Sequence, residues 1–356
     1  MALSNKVKEK ISIEVIKTLM ARFETFPEDA SKNRNAPFHE SFLKAFSDKI
    51  EGKVTDTPFL ISLSSWLHGL NTTLGQSFFE NVAHHLCEGE KREYTSKKSG
   101  NLQITQTQKD NISKIITSLS NSIDKPDLCR ENALIYKNYD TPLVNALDFS
   151  ADVFIEDDAS IIAIELKTVR PNSGEVRGEK QKILEGKAAL YRKFSNRQIQ
   201  FYIGFPFDPT ADPAIESISS FDKKRFLGSI VNMNKYFDYD ETLIANELWD
   251  FLSDQPNTME QILEIINTIS TTGFLHKFQH LNDNDNRLRP EYLEALNCWH
   301  LYSEKELVEN SQLIGQKINS DKKLKRVYNK TAFDNKGNYN FERYNELKKL
   351  LPLSIG

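Results

Sequence analysis

Ten consecutive residues, SIIAIELKTV at 160–169, constrain this chain of 356 residues more than any other stretch. The run is apolar and β-branched, which favours a strand buried in a sheet. It nevertheless carries Glu165 and Lys167 inside it. Side chains of a strand alternate between faces with a period of two. Ile162, Ile164 and Leu166 therefore share one face and belong in a core, while Glu165 and Lys167 point together from the other. Upstream, Phe149–Glu156 also alternates, and Asp157-Asp158 between the two runs reads as a turn, so the pair predicts a β-hairpin. A helix over residues 179–194 follows, then an apolar strand over 199–205 that Pro206 closes. Strand, strand, helix, strand predicts an α/β class with a mixed central sheet flanked by helices.

The rest of the chain reads as helical additions at both ends. Apolar residues at helical spacing predict helices over 7–23, 41–50, 59–70, 76–87 and 107–119. A polar stretch at 88–101 interrupts them, and 133–136 reads as a short strand. Beyond Pro206 helices are expected over 223–233, 241–253, 259–269, 289–309 and 341–350. The expected division is 1–70 as an N-terminal helical segment and 71–210 as the core. Residues 211–356 form a mainly helical region for recognition or dimerisation. No apolar run approaches the roughly 20 residues that span a bilayer, and MALSNKVKEKISIEVIK lacks a signal-peptide apolar stretch. Cys87, Cys129 and Cys298 are too sparse for a disulfide framework or a zinc site. A cytoplasmic protein without membrane partners is expected.

Four E-x-K triplets occur, at Glu51–Lys53, Glu165–Lys167, Glu185–Lys187 and Glu346–Lys348. The triplet alone carries no information, because short motifs match by chance. Only Glu165 and Lys167 lie in a strand. Asp152 precedes Glu165 with twelve residues between, and folding the hairpin brings it beside that strand. The ordinary reading is a pair of cross-strand ion pairs, which contribute little. Two convergent carboxylates beside a lysine also suit Mg²⁺, a hard cation that takes oxygen ligands and keeps several waters. Such an ion activates water towards a phosphate, and Lys167 can orient or help deprotonate that water.

An acid, twelve residues, E-x-K, a helix and a strand resemble the PD-(D/E)XK nucleases, with Ala151 in place of the motif's proline. LGQSFFENVAHHLCEGEKREYT is similar to the helix before the core in many type II restriction endonucleases, where an acid, here Glu80, approaches the metal. NELWDFLSDQPNTMEQILEII resembles a downstream segment of some of them. The order over about residues 70–270 is similar to a TdeIII-like family. The resemblance implies a restriction-endonuclease-like PD-(D/E)XK core and a sequence-specific double-stranded DNA endonuclease that hydrolyses phosphodiester bonds. It implies Asp152, Glu165, Lys167 and Glu80 as catalytic residues, and Asp152, Glu165 and Leu166 as ligands of Mg²⁺, for which Mn²⁺ can substitute. It also implies a homodimer, a short, interrupted palindrome rich in G and C, and a cognate DNA methyltransferase that forms no stable complex.

The net charge of −4 does not announce a nucleic-acid binder, but the charge is segregated. Residues 165–197 hold nine Lys/Arg against four Glu, and 317–330 hold six against one Asp. Candidates for DNA contact are Lys91, Arg92, Lys97 and Lys98, then Arg170, Arg177, Lys180 and Lys182, and lastly Lys322, Lys323 and Arg326. Gln181 and Lys187 are weaker candidates, and solvated helix faces explain all of these runs about equally well. Asp148 lies four residues before Asp152 and is a minor candidate for an outer metal water. His84 and His85 are adjacent on a helix and so do not chelate together. No HNH, GIY-YIG, HKD, Walker A or GxGxxG pattern is present. A repair or RNA-processing nuclease of the same superfamily, or an inactive DNA-binding protein on the same fold, stays open at this point.

Overall fold

The computed structural model describes residues 2–27, 43, 57–98, 100–167, 173–212 and 214–352. Apart from residue 43, the helix expected over 41–50 lies outside these residues, as does Arg170. Contacts divide the chain into two compact units, Met1–Leu3 with Phe79–Gln261, and Ser4–Phe78 with Ile262–Gly356. The second unit thus joins a segment near the start of the chain, Ser4–Phe78, to its C-terminal part.

The first unit is built on a five-stranded mixed sheet. Its strands are β1 (Glu90–Tyr94), β4 (Phe149–Glu156), β5 (Ser160–Leu166), β6 (Gln198–Phe205) and β7 (Thr242–Ile244), in the order β1-β4-β5-β6-β7. β2 (Gln103–Thr105) and β3 (Leu143–Asn145) pair separately. β1, β4 and β5 run antiparallel, and β5, β6 and β7 parallel. The hairpin turn forms because the Asp157 carboxylate accepts hydrogen bonds from the amides of Ala159 and Ser160 at 2.7 and 2.6 Å, a side-chain mimic of a backbone turn. Both faces of β5 are covered. The Ser173–Lys193 helix lies on one, so closely at Gly186 that a Cβ there would meet Phe201 at 2.9 Å. The Asn246–Ser253 helix covers the other, where Leu248 meets Ile164 and Leu166 above Gly204. Ile161, Ala163 and Ile164 are wholly buried, and each buried isoleucine contributes about 1.5–3 kcal/mol.

Three local expectations are corrected. Residues 133–136 are not a strand but the end of the Leu128–Ile135 helix, which Asp127 caps by accepting from the Arg130 amide at 2.9 Å. A four-residue apolar run does not distinguish the two states. The polar stretch 88–101 contains β1, an edge strand, where charged side chains guard against pairing with other chains. The helix expected over 241–253 begins only at Asn246, because Thr242–Ile244 pairs with β6, and Ala245 makes the junction with φ at +49°.

The E-x-K triplet at Glu185–Lys187 is structural. Lys180, Lys187, Glu131 and Glu241 are buried together beneath the Ser173–Lys193 helix. Lys180 Nζ lies 2.6 Å from Glu131 and 2.5 Å from Glu241, and Lys187 Nζ lies 2.8 Å from Glu241. Burial favours the neutral acid, but Lys187 and Lys180 outweigh it and hold the Glu241 carboxyl at about 2. The second unit is helical. Trp299 is fully buried at its centre and stacks on Phe274, and Arg343 pairs with Glu304 at 2.6 and 3.1 Å. No helix among the described residues is long and apolar enough to cross a membrane.

Glu241→Gln should cost about 3–5 kcal/mol, because it leaves Lys187 buried without its carboxylate. The check is the urea midpoint, read by tryptophan fluorescence. The folded value of Glu241 lies below its ordinary 4.5, so its contribution is complete above pH 4.5 and is lost as pH falls towards 2. The variant should lack that part of the acid sensitivity.

Candidate active site

The last ladder pair of the hairpin is Val153 with Ile164, and one step further Asp152 and Glu165 face one another. The ladder stops there because the Asp152 side chain replaces the main chain: its Oδ2 accepts from the Leu166 amide at 2.9 Å. A bulge on the other side of β4 contributes. Glu90 faces Phe154 but Arg92 faces Ala151, so three steps of β4 oppose two of β1 around Asp152. Bulges break the alternation of side chains and re-aim them, and Phe149 and Phe154, five residues apart, both pack on Tyr94.

Asp152 and Glu165 are 8% and 7% exposed, and two carboxylates at such burial require compensation. Lysines supply it from two sides. On the β1 side, Lys91 Nζ lies 2.9 Å from Asp152 Oδ1 and 3.0 Å from both oxygens of Glu80. Glu80 stands on the Phe79–Cys87 helix. Burial pushes its carboxyl above the ordinary range and the hydrogen bond from Lys91 pulls it back. Burial opposes the charge on Lys91, but hydrogen bonds to Asp152 and Glu80 outweigh it and hold the ammonium protonated. On the other side, Lys167 Nζ lies 3.0 Å from Glu165 and 3.1 Å from Glu179, and Lys182 lies 3.5 Å from Glu165 and 3.2 Å from Glu179. Burial raises the Glu165 carboxyl, Lys167 lowers it, and the Asp152 charge raises it again. Burial disfavours the Lys167 ammonium, yet Glu165 and Glu179 together hold its pKa above the ordinary value.

The structure thus brings Asp152, Glu165, Lys167 and Glu80 to one place, with the Leu166 main chain touching Asp152. Three neighbours escaped the sequence reading. Glu179 and Lys182 complete a ring of alternating charge with Glu165 and Lys167; Lys182 was read only as a DNA contact. His84 Nε2 lies 2.6 Å from the Asp152 carbonyl oxygen, so it carries the proton there. The spacing of Glu179 to Lys182, i to i+3 on a helix, was the available signal.

Of the residues expected at DNA, Lys97, Arg177, Lys322, Lys323 and Arg326 are exposed. Lys98 is exposed and pairs with Glu93 at 2.9 Å. Arg92 pairs with Glu90 and Glu156 and lies over the Phe154 ring. Lys91 is turned inward onto the acids. Lys180 and Lys187 are corrected, since both are buried in the network with Glu241 and do not reach a ligand. Gln181 donates to Glu185 at 3.1 Å. Asp148 is exposed and accepts from Asn101.

Among the described residues, no three His, Cys, Asp or Glu side chains stand close enough to hold an ion by themselves. The donors fit a hard divalent ion all the same, because Mg²⁺ keeps several waters and needs only one or two carboxylates. Buried oxygen donors that already attract ammonium groups provide them.

Residues 3–270 match the family model described as type II restriction endonuclease, HinfI. Over 371 residues the chain is 43% identical to the type II restriction enzyme MjaII of Methanocaldococcus jannaschii, covering 98% of this chain and 98% of that one. The matching family is named for HinfI, where the sequence reading reached for a TdeIII-like subtype.

Lys180→Met should lower the urea midpoint and leave the salt dependence of DNA affinity unchanged, because the ammonium it removes is a buried structural one. Each lost phosphate contact lowers that dependence by about one unit of slope. A drop of that size for Lys180→Met would return the residue to the DNA surface.

Proposed function

Because the chain belongs to the HinfI family of type II restriction endonucleases, we propose that Asp152, Glu165 and Lys167 form the catalytic centre of this sequence-specific DNA endonuclease. Glu80 supports them, and Mg²⁺ is the divalent metal used. The observation that carries the proposal is the facing pair Asp152 and Glu165, with Lys167 3.0 Å from Glu165.

Asp152, Glu165 and the main-chain carbonyl of Leu166 would hold the metal. When bound, Mg²⁺ supplies a water of lowered pKa and charge to offset the phosphate. Glu165 and Glu179 hold the Lys167 ammonium beside the acids at 3.0 and 3.1 Å, where it can donate a hydrogen bond. It orients the attacking water or a phosphate oxygen; the water oxygen bonds to phosphorus as its proton passes to solvent, the P–O bond to the sugar breaks, and the leaving oxygen takes up a proton from solvent. Glu165 and Glu179 hold the Lys167 side chain between two opposite charges, and Lys182 pairs with the same two carboxylates, which restricts the rotamers of Lys167 at the moment of reaction.

One such set cuts one strand at a time. We therefore propose a two-fold homodimer on a short, nearly palindromic duplex site rich in G and C, with identical surfaces on identical half-sites. A DNA methyltransferase of the same system would protect that site without a stable complex. The enzyme meets its DNA in the cytoplasm.

Plasmid cleavage should cease in EDTA and return with Mg²⁺ or Mn²⁺, while Ca²⁺ supports binding without cutting. Lys167→Ala should lower the single-turnover rate by about 10²–10⁴-fold with specific binding retained. Asp152→Asn should abolish cutting and bind DNA at least as tightly without metal, since a charge that repels phosphate is gone. Cutting in EDTA, or a near wild-type rate for Lys167→Ala, would refute the site.

Light scattering on the DNA-bound protein should give two protomers per site, and the mapped ends should be related by two-fold symmetry. One protomer per site would refute the dimer.

A further inference from the structure

Lys91 bridges two acids of the centre from the edge of the sheet. It belongs to the edge strand β1, opposite the bulge of β4 that aims Asp152. Asp152 Oδ2 is engaged by the Leu166 amide. Its other oxygen, Oδ1, is the one a metal would have to use, and Lys91 Nζ is on it at 2.9 Å. The same ammonium takes both oxygens of Glu80. One positive charge therefore stands on the Asp152 oxygen that a divalent ion would take, and the two cannot share it at this distance.

The lysine is also free to leave. Its side chain is 38% exposed, and a four-carbon stem with rotatable donors swings readily. It lines a groove of about 390 Å³ together with Arg92, Lys98, Lys193, Glu90 and Glu93. Arg92 and Lys98 are paired there with Glu90 and Glu93, so an ammonium released from the acids adds to Lys193 a second cation in excess of the groove's acids, for which a phosphate is the natural partner.

We propose that Lys91 is an exchangeable counter-ion of the acidic centre: a divalent metal displaces it from Asp152 and Glu80, and the freed ammonium turns to DNA phosphate. This rests on the reading of Asp152 as a metal ligand. Metal binding to the DNA-free enzyme is then weakened by the lysine, and DNA and metal strengthen each other's binding by the same factor, as linkage requires. The enzyme loads metal most readily when substrate is present to receive Lys91.

The test is Mn²⁺ binding to the full chain without DNA, by calorimetry or by the loss of the free-ion paramagnetic signal. Lys91→Met and Lys91→Gln, each checked for cooperative unfolding, should bind Mn²⁺ about tenfold tighter than wild type or more. With an uncleavable phosphorothioate duplex present, the gain should shrink, because in wild type the duplex already draws Lys91 away. Lys98→Met removes one charge from the same groove and measures the general effect of charge. Equal gains for Lys98 and Lys91 variants, or no gain for the folded Lys91→Gln, would overturn the proposal. Asp152→Asn separates the two readings. Unchanged Mn²⁺ binding in that variant would remove the metal site itself, whereas lost binding with no gain from Lys91→Gln would remove only the exchange.

Discussion

Asp152 and Glu165 face one another at the open end of a hairpin, both nearly buried. Like charges at that separation repel, and desolvation makes the repulsion larger than it would be in water. The local architecture answers this one difficulty. The Leu166 amide takes one Asp152 oxygen, Lys91 takes the other, and Lys167 and Lys182 flank Glu165. Remove the acids and these lysines have no reason to point inward. The same oxygen donors suit a hard divalent ion, which keeps several waters and needs only one or two carboxylates.

The Ser173–Lys193 helix connects this centre to the body of the fold. Glu179 and Lys182 lie on the side that meets Glu165 and Lys167. Lys180 and Lys187, seven residues apart and hence on one line of the helix, point into the buried network with Glu131 and Glu241. Breaking such a pair is far more costly than omitting it, so the network permits one register of helix on sheet. Gly186 adds a steric limit, because any side chain there would collide with Phe201. A helix shifted by one residue would move Glu179 away from Lys167. The distant carboxylate Glu241 thus bears on the position of the lysine beside Glu165.

Much of the centre was legible in the chain itself. The apolar run with two charges in it, the turn at Asp157, and the spacing from Asp152 to Glu165 are local facts, and strand alternation converts them to geometry. The helix of Glu80 was legible from its stripe, and β6 from its apolar content. The strand β1 was not, since EKREY has no alternation to read and is held as a strand only by pairing with β4. Residues 133–136 failed for the opposite reason: four apolar residues suit a strand or a helix end equally.

The sequence by itself determined that Asp152, Glu165 and Lys167 come together, because hairpin periodicity acts over a few residues and needs no partner. The tertiary structure alone decided which lysines face the acids and which face solvent. Lys91, Lys180, Lys182 and Lys187 are alike as letters in a basic run. Whether a lysine is a phosphate contact, a structural ion or a counter-ion depends on the carboxylate that the fold brings to it. Glu80 comes from eleven residues before Lys91, Glu131 from 49 before Lys180, and Glu241 from 54 beyond Lys187. Charge pairing over such separations is set by the packing of helix on sheet, and that is a property of the folded chain.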